Sequence, residues 1–211
     1  MSLVFCQHTN PSSKIALWKI EENLQFYTSY LGISENKIQE LSNVTHPQKQ
    51  LEWLASRTCV KYLCEQMGIE YRGVAKDEYS NPSLNNHVAH ISITHTDLYA
   101  AVSISLDSPV GIDIEKISDK LNRVAHKYLS TNELIAANNS LQKKCIYWCA
   151  KESLYKWHGK KNLSFKEHIF LDNFDENISQ VTGKIIHHTE SESSHTLNVY
   201  YQDDYILTVT L

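Results

Sequence analysis

The chain has 211 residues, of which 42% are hydrophobic and 21% charged, and its formal net charge is −4 at pH 7. This length and composition predict one domain or two small ones with an ordinary packed core. The acidic balance argues against a nucleic-acid partner and against a polybasic membrane surface, and without a leader or a long apolar run we expect a cytoplasmic protein.

The first part of the chain changes from a helical to a strand-like pattern. Residues 24–31 and 45–67 carry apolar side chains at helical spacing, and Gly68 is suited to end the longer helix. Residues 89–94 and 98–106 then alternate as two strands joined by a short turn.

The second part of the chain repeats this kind of order. Ser130 and Glu133 have capping-box spacing, which predicts a helix start. Further elements are predicted as strands over 110–115, 180–188, 197–201 and 205–211 and as a helix over 141–157.

Each half therefore contains one main helix and about three strands. We predict an α+β fold of two similar halves, each a small, mainly antiparallel sheet packed on a long helix. The halves are expected at residues 1–109 and 110–211, with a metal site in the second.

The five cysteines, Cys6, Cys59, Cys64, Cys145 and Cys149, form no CxxC pair, and their number is odd. We expect free thiols that pack as small apolar side chains rather than a zinc site. His187, His188 and His195 lack the spacing and the supporting carboxylates of a metal site, so we expect solvated surface histidines.

The segment Gly111-Ile112-Asp113-Ile114-Glu115 alternates polar and apolar residues. On a strand, Asp113 and Glu115 would share one face, while the two isoleucines anchor the other. Paired carboxylates repel each other unless a cation or open water lies between them, and hard oxygen ligands suit Mg²⁺. The alternative is a solvated edge strand with acidic residues facing water.

The segment 148–156, Trp148-Cys149-Ala150-Lys151-Glu152-Ser153-Leu154-Tyr155-Lys156, falls on the predicted long helix. Glu152 and Lys156 are one turn apart on one face. Such a carboxylate can act as base or ligand while lysines bind phosphate, and Lys151 and Lys156 are expected to keep Glu152 ionised. The alternative is an ordinary ion pair on a solvated helix.

These segments, in this order, resemble the 4′-phosphopantetheinyl transferase family, specifically its surfactin-type members. The matching pieces are Leu51-Glu52-Trp53-Leu54-Ala55-Ser56-Arg57, Ile93-Thr94-His95, Gly111-Ile112-Asp113-Ile114-Glu115, the segment 148–156 and Gly159-Lys160-Lys161-Asn162-Leu163. The resemblance covers residues 46–165. It implies two similar α+β halves, with coenzyme A between them.

The resemblance also implies an activity: Mg²⁺-dependent transfer of phosphopantetheine from coenzyme A to a serine of an apo carrier protein by a monomeric enzyme. It implies that Asp113, Glu115 and Glu152 bind Mg²⁺ and that Glu152 and Lys156 act in catalysis, with either Glu152 or a water molecule as the base. The implied phosphate contacts are Lys151, Lys156, Thr94, His95, Arg57 and Lys49.

One position departs from the family pattern. Members usually carry Gly-Lys-Pro before the Thr/Ser-His strand, and that lysine contacts a phosphate. This chain has Ser80-Asn81-Pro82, so Asn81 replaces the lysine and Lys76 is the nearby cation that would compensate. A non-catalytic coenzyme A or carrier-protein binding module and a metal-dependent phosphoesterase are the alternatives to the transferase.

Overall fold

The computed structural model describes residues 2–34, 37, 44–160, 163–186 and 192–211. The chain divides into two compact units, Met1–Ser108 and Pro109–Leu211. Within the described ranges, no helix is both long enough and apolar enough to cross a membrane. All five cysteines are free thiols, and four of them are buried.

The first unit is an antiparallel sheet of six strands with two helices. Its elements are β1 (Leu3–Asn10), β2 (Ser13–Lys19), α1 (Leu24–Leu31), α2 (Pro47–Gln66), β3 (Val74–Lys76), β4 (Pro82–Leu84), β5 (His90–His95) and β6 (Tyr99–Ser105). The strand order is β1-β2-β6-β5-β4-β3. The core lies where α2 packs on the central strands, with Cys59 and Leu63 of the helix in one apolar cluster with Val102 and Ile104 of β6.

The second unit is an antiparallel sheet of five strands with three helices. Its elements are β7 (Ile112–Lys116), α3 (Asp119–Tyr128), α4 (Thr131–Ala137), α5 (Leu141–His158), β8 (Ile169–Leu171), β9 (Gln180–Ile185), β10 (Ser193–Gln202) and β11 (Tyr205–Thr210). The order is β7-β11-β10-β9-β8, so β7 is an edge strand. Helix α5 buries Cys145, Cys149 and Leu154 in this unit's core.

The α+β prediction is confirmed, since both sheets are antiparallel and each packs on a long helix. The expected helices agree with α1, α2 and α5 to within two residues, and Ser130 and Glu133 form the predicted capping box. The strand predicted over 180–188 ends at Ile185, and His187 and His188 lie outside the described residues.

The prediction of about three strands in each half was wrong, because the two sheets contain six and five strands. Strand β2 is almost wholly buried, so its side chains do not alternate in polarity. Strands β3, β4 and β8 have three residues each, too few to establish a period. Helix α3 was missed, although its buried residues Leu121, Ala125 and Tyr128 recur at helical spacing.

Candidate functional site

Strand β7 presents the two acidic residues of the first motif. Ile112 and Ile114 are buried, and Asp113 and Glu115 alternate with them and so share the other face. Asp113 is only 7% exposed. The edge-strand alternative was therefore right about the sheet edge, but Asp113 does not face open water.

Helix α5 covers this face because Gly111 permits a close approach. A Cβ at Gly111 would lie 1.8 Å from the carbonyl oxygen of Ser153, so only glycine fits beneath the helix. The Ser153 hydroxyl is 2.8 Å from Oγ1 of Thr208 on β11, the neighbouring strand. The glycine of the first motif thus places the second motif on the sheet.

Lys156 connects the two motifs directly. Its ammonium donates to Oδ1 of Asp113 at 2.7 Å and to the carbonyl of Ile112 at 2.9 Å. The cation that the sequence placed one turn from Glu152 therefore reaches across to β7. A solvated ion pair confined to the helix surface does not describe this arrangement.

Glu152 has an unusual electrostatic environment. Burial, the charge of Asp113 and, less strongly, the charge of Glu115 raise its pKa to about 7 against the opposing charge of Lys156. The expectation that lysines hold this pKa low was wrong, because desolvation and two neighbouring carboxylates outweigh one lysine. The three carboxylates are therefore close enough to interact.

A pocket of about 440 Å³ opens beside Glu115 and Glu152. Its other lining residues are Lys120, Leu121, Val124, Lys127, Tyr128, Trp148 and Phe165. Trp148 packs edge-on against Tyr128, with ring centroids 5.0 Å apart. The pocket therefore combines two carboxylates and two lysines with an apolar wall.

In the first unit, His95 is the last residue of β5, and its ring contacts helix α2. The Nδ1 atom lies 3.0 Å from Oε2 of Glu52, which also accepts from Lys49 Nζ at 2.7 Å. Thr94 precedes His95, so it points to the opposite face of the strand, and it is buried. The structure thus brings His95 and Lys49 together around one carboxylate but does not place Thr94 beside them.

Arg57 and Lys76 line a second pocket of about 790 Å³ in the same unit. The Arg57 guanidinium lies over the Trp53 ring, 4.7 Å from its centroid, and burial lowers its pKa. Lys76 is paired with Pro82 in the β3–β4 hairpin. Both cations therefore face one concave surface, as an anionic ligand requires.

Comparison with known proteins shows which family this sequence matches. The sequence profile of the 4′-phosphopantetheinyl transferase superfamily matches residues 109–210, and that of the 4′-phosphopantetheinyl transferase N-terminal domain matches residues 38–105. The chain belongs to the 4′-phosphopantetheinyl transferase family. The resemblance seen in the motifs is confirmed.

A relative within this family is the 4′-phosphopantetheinyl transferase gsp of Aneurinibacillus migulanus. It is 34% identical over 107 residues, which correspond to 47% of this chain and 44% of the relative. The aligned region thus spans less than half of either protein. The matched profiles extend the family assignment over most of the chain.

Lys151, in the family's second motif, does not face an open site in the structure. It is 0% exposed, and its ammonium donates to Glu133 Oε2 at 2.7 Å and to the carbonyls of Tyr128 and Phe165 at 2.9 and 2.8 Å. Burial lowers its pKa to about 8, although the Glu133 charge opposes that shift. With three acceptors, Lys151 is not available to a phosphate, contrary to the expectation drawn from the resemblance.

In the loop that departs from the family pattern, one residue has a backbone conformation that favours glycine. Ser80, at the usual glycine position, has a φ of +70°, in the left-handed region. Asn81, at the usual lysine position, donates its side-chain amide to Asp77 Oδ2 at 3.0 Å. Ser80 therefore adopts a backbone conformation that favours glycine, and Asn81 provides no positive charge.

Sequence reasoning missed two buried carboxylates, Glu52 and Glu133. Glu133 was recognised only as a helix cap, whereas it also holds Lys151 and accepts from the backbone NH of Leu171 at 3.1 Å. Glu52 gave a usable signal, because it lies seven residues before the buried Cys59 on the same helix face. An acidic residue at a core-facing position indicates a specific partner.

Proposed function

We propose that this protein transfers the 4′-phosphopantetheine group of coenzyme A to a serine of an apo carrier protein and releases 3′,5′-ADP in a Mg²⁺-dependent reaction. The carrier is an acyl or peptidyl carrier protein, and the enzyme acts as a cytoplasmic monomer. The observation that carries the proposal is the set of carboxylates Asp113, Glu115 and Glu152 that β7 and α5 hold beside Lys156 in a member of this family.

The acidic residues fit a magnesium ion that is completed by substrate. Among the described residues, no three His, Cys, Asp or Glu side chains already form a cage around a metal. Mg²⁺ rarely needs one, because it usually takes one or two carboxylates and fills its shell with water and phosphate oxygens. The mutual repulsion that raises the pKa of Glu152 is the chemistry that a cation would relieve.

The residues of the site then have separate roles. Asp113, Glu115 and Glu152 would hold Mg²⁺, whose charge would neutralise the pyrophosphate as 3′,5′-ADP leaves. Lys156, already held by Asp113, would contact a phosphate oxygen. The serine oxygen forms a bond to the phosphorus next to the pantetheine, and the bond from that phosphorus to 3′,5′-ADP breaks.

Glu152 is our candidate for the group that takes the proton of the attacking serine. A general base works best when its pKa is close to the working pH, and burial together with the charges of Asp113 and Glu115 raises that of Glu152 to about 7 while no metal is bound, so this role suits Glu152 when it does not itself coordinate Mg²⁺. The apolar wall of the adjoining pocket, formed around Trp148 and Tyr128, suits the uncharged pantetheine arm.

Cations in the first unit would contact the phosphates of coenzyme A. Arg57 and Lys76 line one pocket, and Lys49 and His95 share Glu52. Arginine and lysine provide the charge-assisted hydrogen bonds that phosphate groups favour. Lys76 would partly replace the family's missing lysine, as its place in the hairpin beside Pro82 allows.

The deciding experiment incubates the protein with coenzyme A, Mg²⁺ and several apo carrier proteins and follows each carrier by mass spectrometry. The transferase produces a phosphopantetheine mass gain on the carrier and releases 3′,5′-ADP. A phosphoesterase would release product without any gain. In Asp113→Ala, we expect turnover and Mg²⁺-dependent binding of coenzyme A to be lost together, and normal turnover would refute the metal assignment.

A second variant separates the two roles of Glu152. Glu152→Gln keeps the shape of the side chain and removes its charge. If Glu152 is the base, this variant binds coenzyme A and turns over at least about a hundredfold more slowly. If it is mainly a ligand, Mg²⁺ affinity falls first and high Mg²⁺ restores the rate.

A binding module derived from such an enzyme is the second candidate. The observation in its favour is Asn81, which carries no charge and is tied to Asp77. Such a module would bind coenzyme A or the carrier in the same assay and leave the mass of every carrier unchanged.

A further inference from the structure

Helix α2 carries a buried carboxylate to which the proposed mechanism assigns no role. Glu52 is 1% exposed, and its Oε1 atom has no hydrogen-bond partner among the described residues. Its Oε2 atom accepts from Lys49 and from Nδ1 of His95. A buried carboxylate with one oxygen unsatisfied is destabilising by itself, so its two remaining contacts have to offset that cost.

Of these two contacts, His95 is the stronger candidate for a functional link. Lys49 is 59% exposed, so water screens its attraction to Glu52. The His95 ring is 38% exposed and sits at the end of β5, so one edge meets Glu52 and the rest of the ring reaches the surface. The buried carboxylate therefore bonds to a histidine that is partly accessible to a ligand.

The geometry sets the proton positions on the His95 ring. Glu52 is an acceptor, so Nδ1 must carry a hydrogen, and Nε2 is left to interact with a ligand. A carboxylate or carbonyl on one ring nitrogen commonly determines the orientation and chemistry of the other. Nε2 can donate to a phosphate oxygen only after it gains a proton of its own.

The charges around His95 oppose each other. Burial lowers its pKa, Glu52 raises it by charge and hydrogen bonding, and the positive charges of Lys49 and Arg57 lower it again. The net direction is downward, so the ring is mainly neutral at pH 7.5 when no anion is bound. A phosphate at Nε2 adds a second negative charge and favours protonation of the ring.

We propose that Glu52 is a positioning residue, which holds His95 through Nδ1 so that Nε2 takes up a proton from solvent and donates it in a hydrogen bond to a phosphate of coenzyme A. The inference rests on the proposed function and deepens it. It makes coenzyme A binding a proton-linked step, with Glu52 acting only through the histidine.

Isothermal titration calorimetry tests this link. Coenzyme A binding is measured at pH 7.5 in two buffers of different ionisation enthalpy, which reports the protons taken up. Wild type is expected to take up a substantial fraction of one proton. Glu52→Ala and His95→Ala should each bind about tenfold more weakly with little proton uptake, and the double variant should bind no more weakly than either.

Two further variants show whether Glu52 acts by orienting the His95 ring or through its negative charge. Glu52→Gln can still accept from Nδ1 without the negative charge, so it should retain more affinity than Glu52→Ala and take up its proton only at lower pH. Glu65→Gln is the matched control, since Glu65 lies on the same helix, is exposed and contacts Tyr30 and Lys61 rather than His95. It should leave both affinity and proton uptake unchanged.

Nuclear magnetic resonance of the free protein examines Glu52 and His95 without any ligand. Two-bond ¹H–¹⁵N spectra should show the Nδ1–H form of His95 in wild type and a mixture of forms in Glu52→Ala. An unchanged His95 signal, or independent losses of affinity in the double variant, would overturn the positioning role. If Glu52→Ala does not fold in a thermal melt, the same readouts on Glu52→Gln decide.

Failure of the proposed function has a different signature. If wild type does not bind coenzyme A at all, the phosphate role of His95 falls with it, even when the spectra still show the coupling to Glu52. If wild type binds coenzyme A and transfers phosphopantetheine but takes up no proton, only the inference about Glu52 is refuted.

Discussion

The two units of the molecule share one architecture, but their long helices bury charges of opposite sign. In each, a helix of 18 or 20 residues packs on an antiparallel sheet. Helix α5 buries a lysine, Lys151, whose carboxylate partner Glu133 lies on α4. Helix α2 buries a carboxylate, Glu52, whose partners are Lys49 and His95.

The two units also differ in the charged groups that surround Glu152 in one and Glu52 in the other. Around Glu152, burial and the charges of Asp113 and Glu115 outweigh that of Lys156, and its pKa is raised. Around Glu52, the neighbouring groups are cationic or can become so, and the pKa of His95 is lowered. One architecture thus supports carboxylates whose repulsion a cation would relieve in one unit and cations suited to an anion in the other.

The largest expected effect concerns the buried lysine of α5. Lys151→Met should reduce the free energy of unfolding by about 3–5 kcal/mol, because it leaves Glu133 buried without its cation. Urea denaturation measures the change. Lys166→Met is the control, because Lys166 is exposed and donates to the backbone carbonyl of His126. Equal stability of the two variants would show that Lys151 is not a structural cation.

The second-largest effect is expected where α5 packs closely on the start of β7. Gly111→Ala should destabilise the protein by about 3 kcal/mol, because a Cβ there would collide with the Ser153 carbonyl. Gly68→Ala is the control: nothing lies within 4 Å of its Cβ position, but its φ of +70° disfavours alanine. We expect a cost of about 1 kcal/mol there. A Gly111→Ala variant as stable as Gly68→Ala would contradict the close approach.

Because the pKa of Glu152 is raised, we expect that removal of its charge stabilises the metal-free protein in a pH-dependent way. The folded pKa of Glu152, about 7, lies above its ordinary value of 4.5, so the wild type loses stability as pH rises from 4.5 to 7. In chelator at pH 8, Glu152→Gln should therefore be more stable than wild type by about 1 kcal/mol or more. Below pH 4.5 the advantage should vanish.

Denaturation curves at pH 4 and pH 8 measure this difference. Glu167→Gln, which alters an exposed glutamate of the same unit, should change stability at neither pH. Addition of Mg²⁺ should stabilise wild type at pH 8 and have a smaller effect on Glu152→Gln. An advantage of equal size at both pH values would mean that ionisation of the buried Glu152 is not its cause.

A smaller effect is expected for the affinity of the first unit for coenzyme A. Asn81→Lys restores the charge at the family's lysine position and should tighten coenzyme A binding by about 1 kcal/mol, measured by calorimetry. Asn86→Lys adds the same charge at another exposed position of this unit and should have less effect. No difference between the two variants would indicate that Lys76 already supplies the contact.

The smallest effect concerns the backbone of the same loop. Ser80→Gly should raise the free energy of unfolding by about 0.5–1 kcal/mol, since glycine adopts a φ of +70° without strain. Thermal denaturation measures it. Asn177→Gly should raise the free energy of unfolding by less, because asparagine tolerates a positive φ, here +62°, better than serine does. A loss of stability in Ser80→Gly would mean that the serine side chain contributes more than its backbone costs.

The sequence predicted the long helices and the longer alternating strands because their side chains repeat with a clear period. It did not reveal β3, β4 and β8, which are too short to repeat, or β2, which is buried on both faces. It identified Asp113, Glu115, Glu152 and Lys156 as candidates because each follows from spacing within one motif. The pairing of Lys156 with Asp113 joins two motifs, and no spacing within either predicts it.

The sequence by itself determined the family, the antiparallel α+β plan and the acidic and basic residues available for chemistry, because local periodicity and motif order are written along the chain. Tertiary structure decided which charges are usable. Lys151 and Lys156 lie five residues apart, yet only packing buries one against Glu133 and directs the other to Asp113. Burial and the charges of neighbouring elements set a pKa, and neither is a property of a residue's position in the sequence.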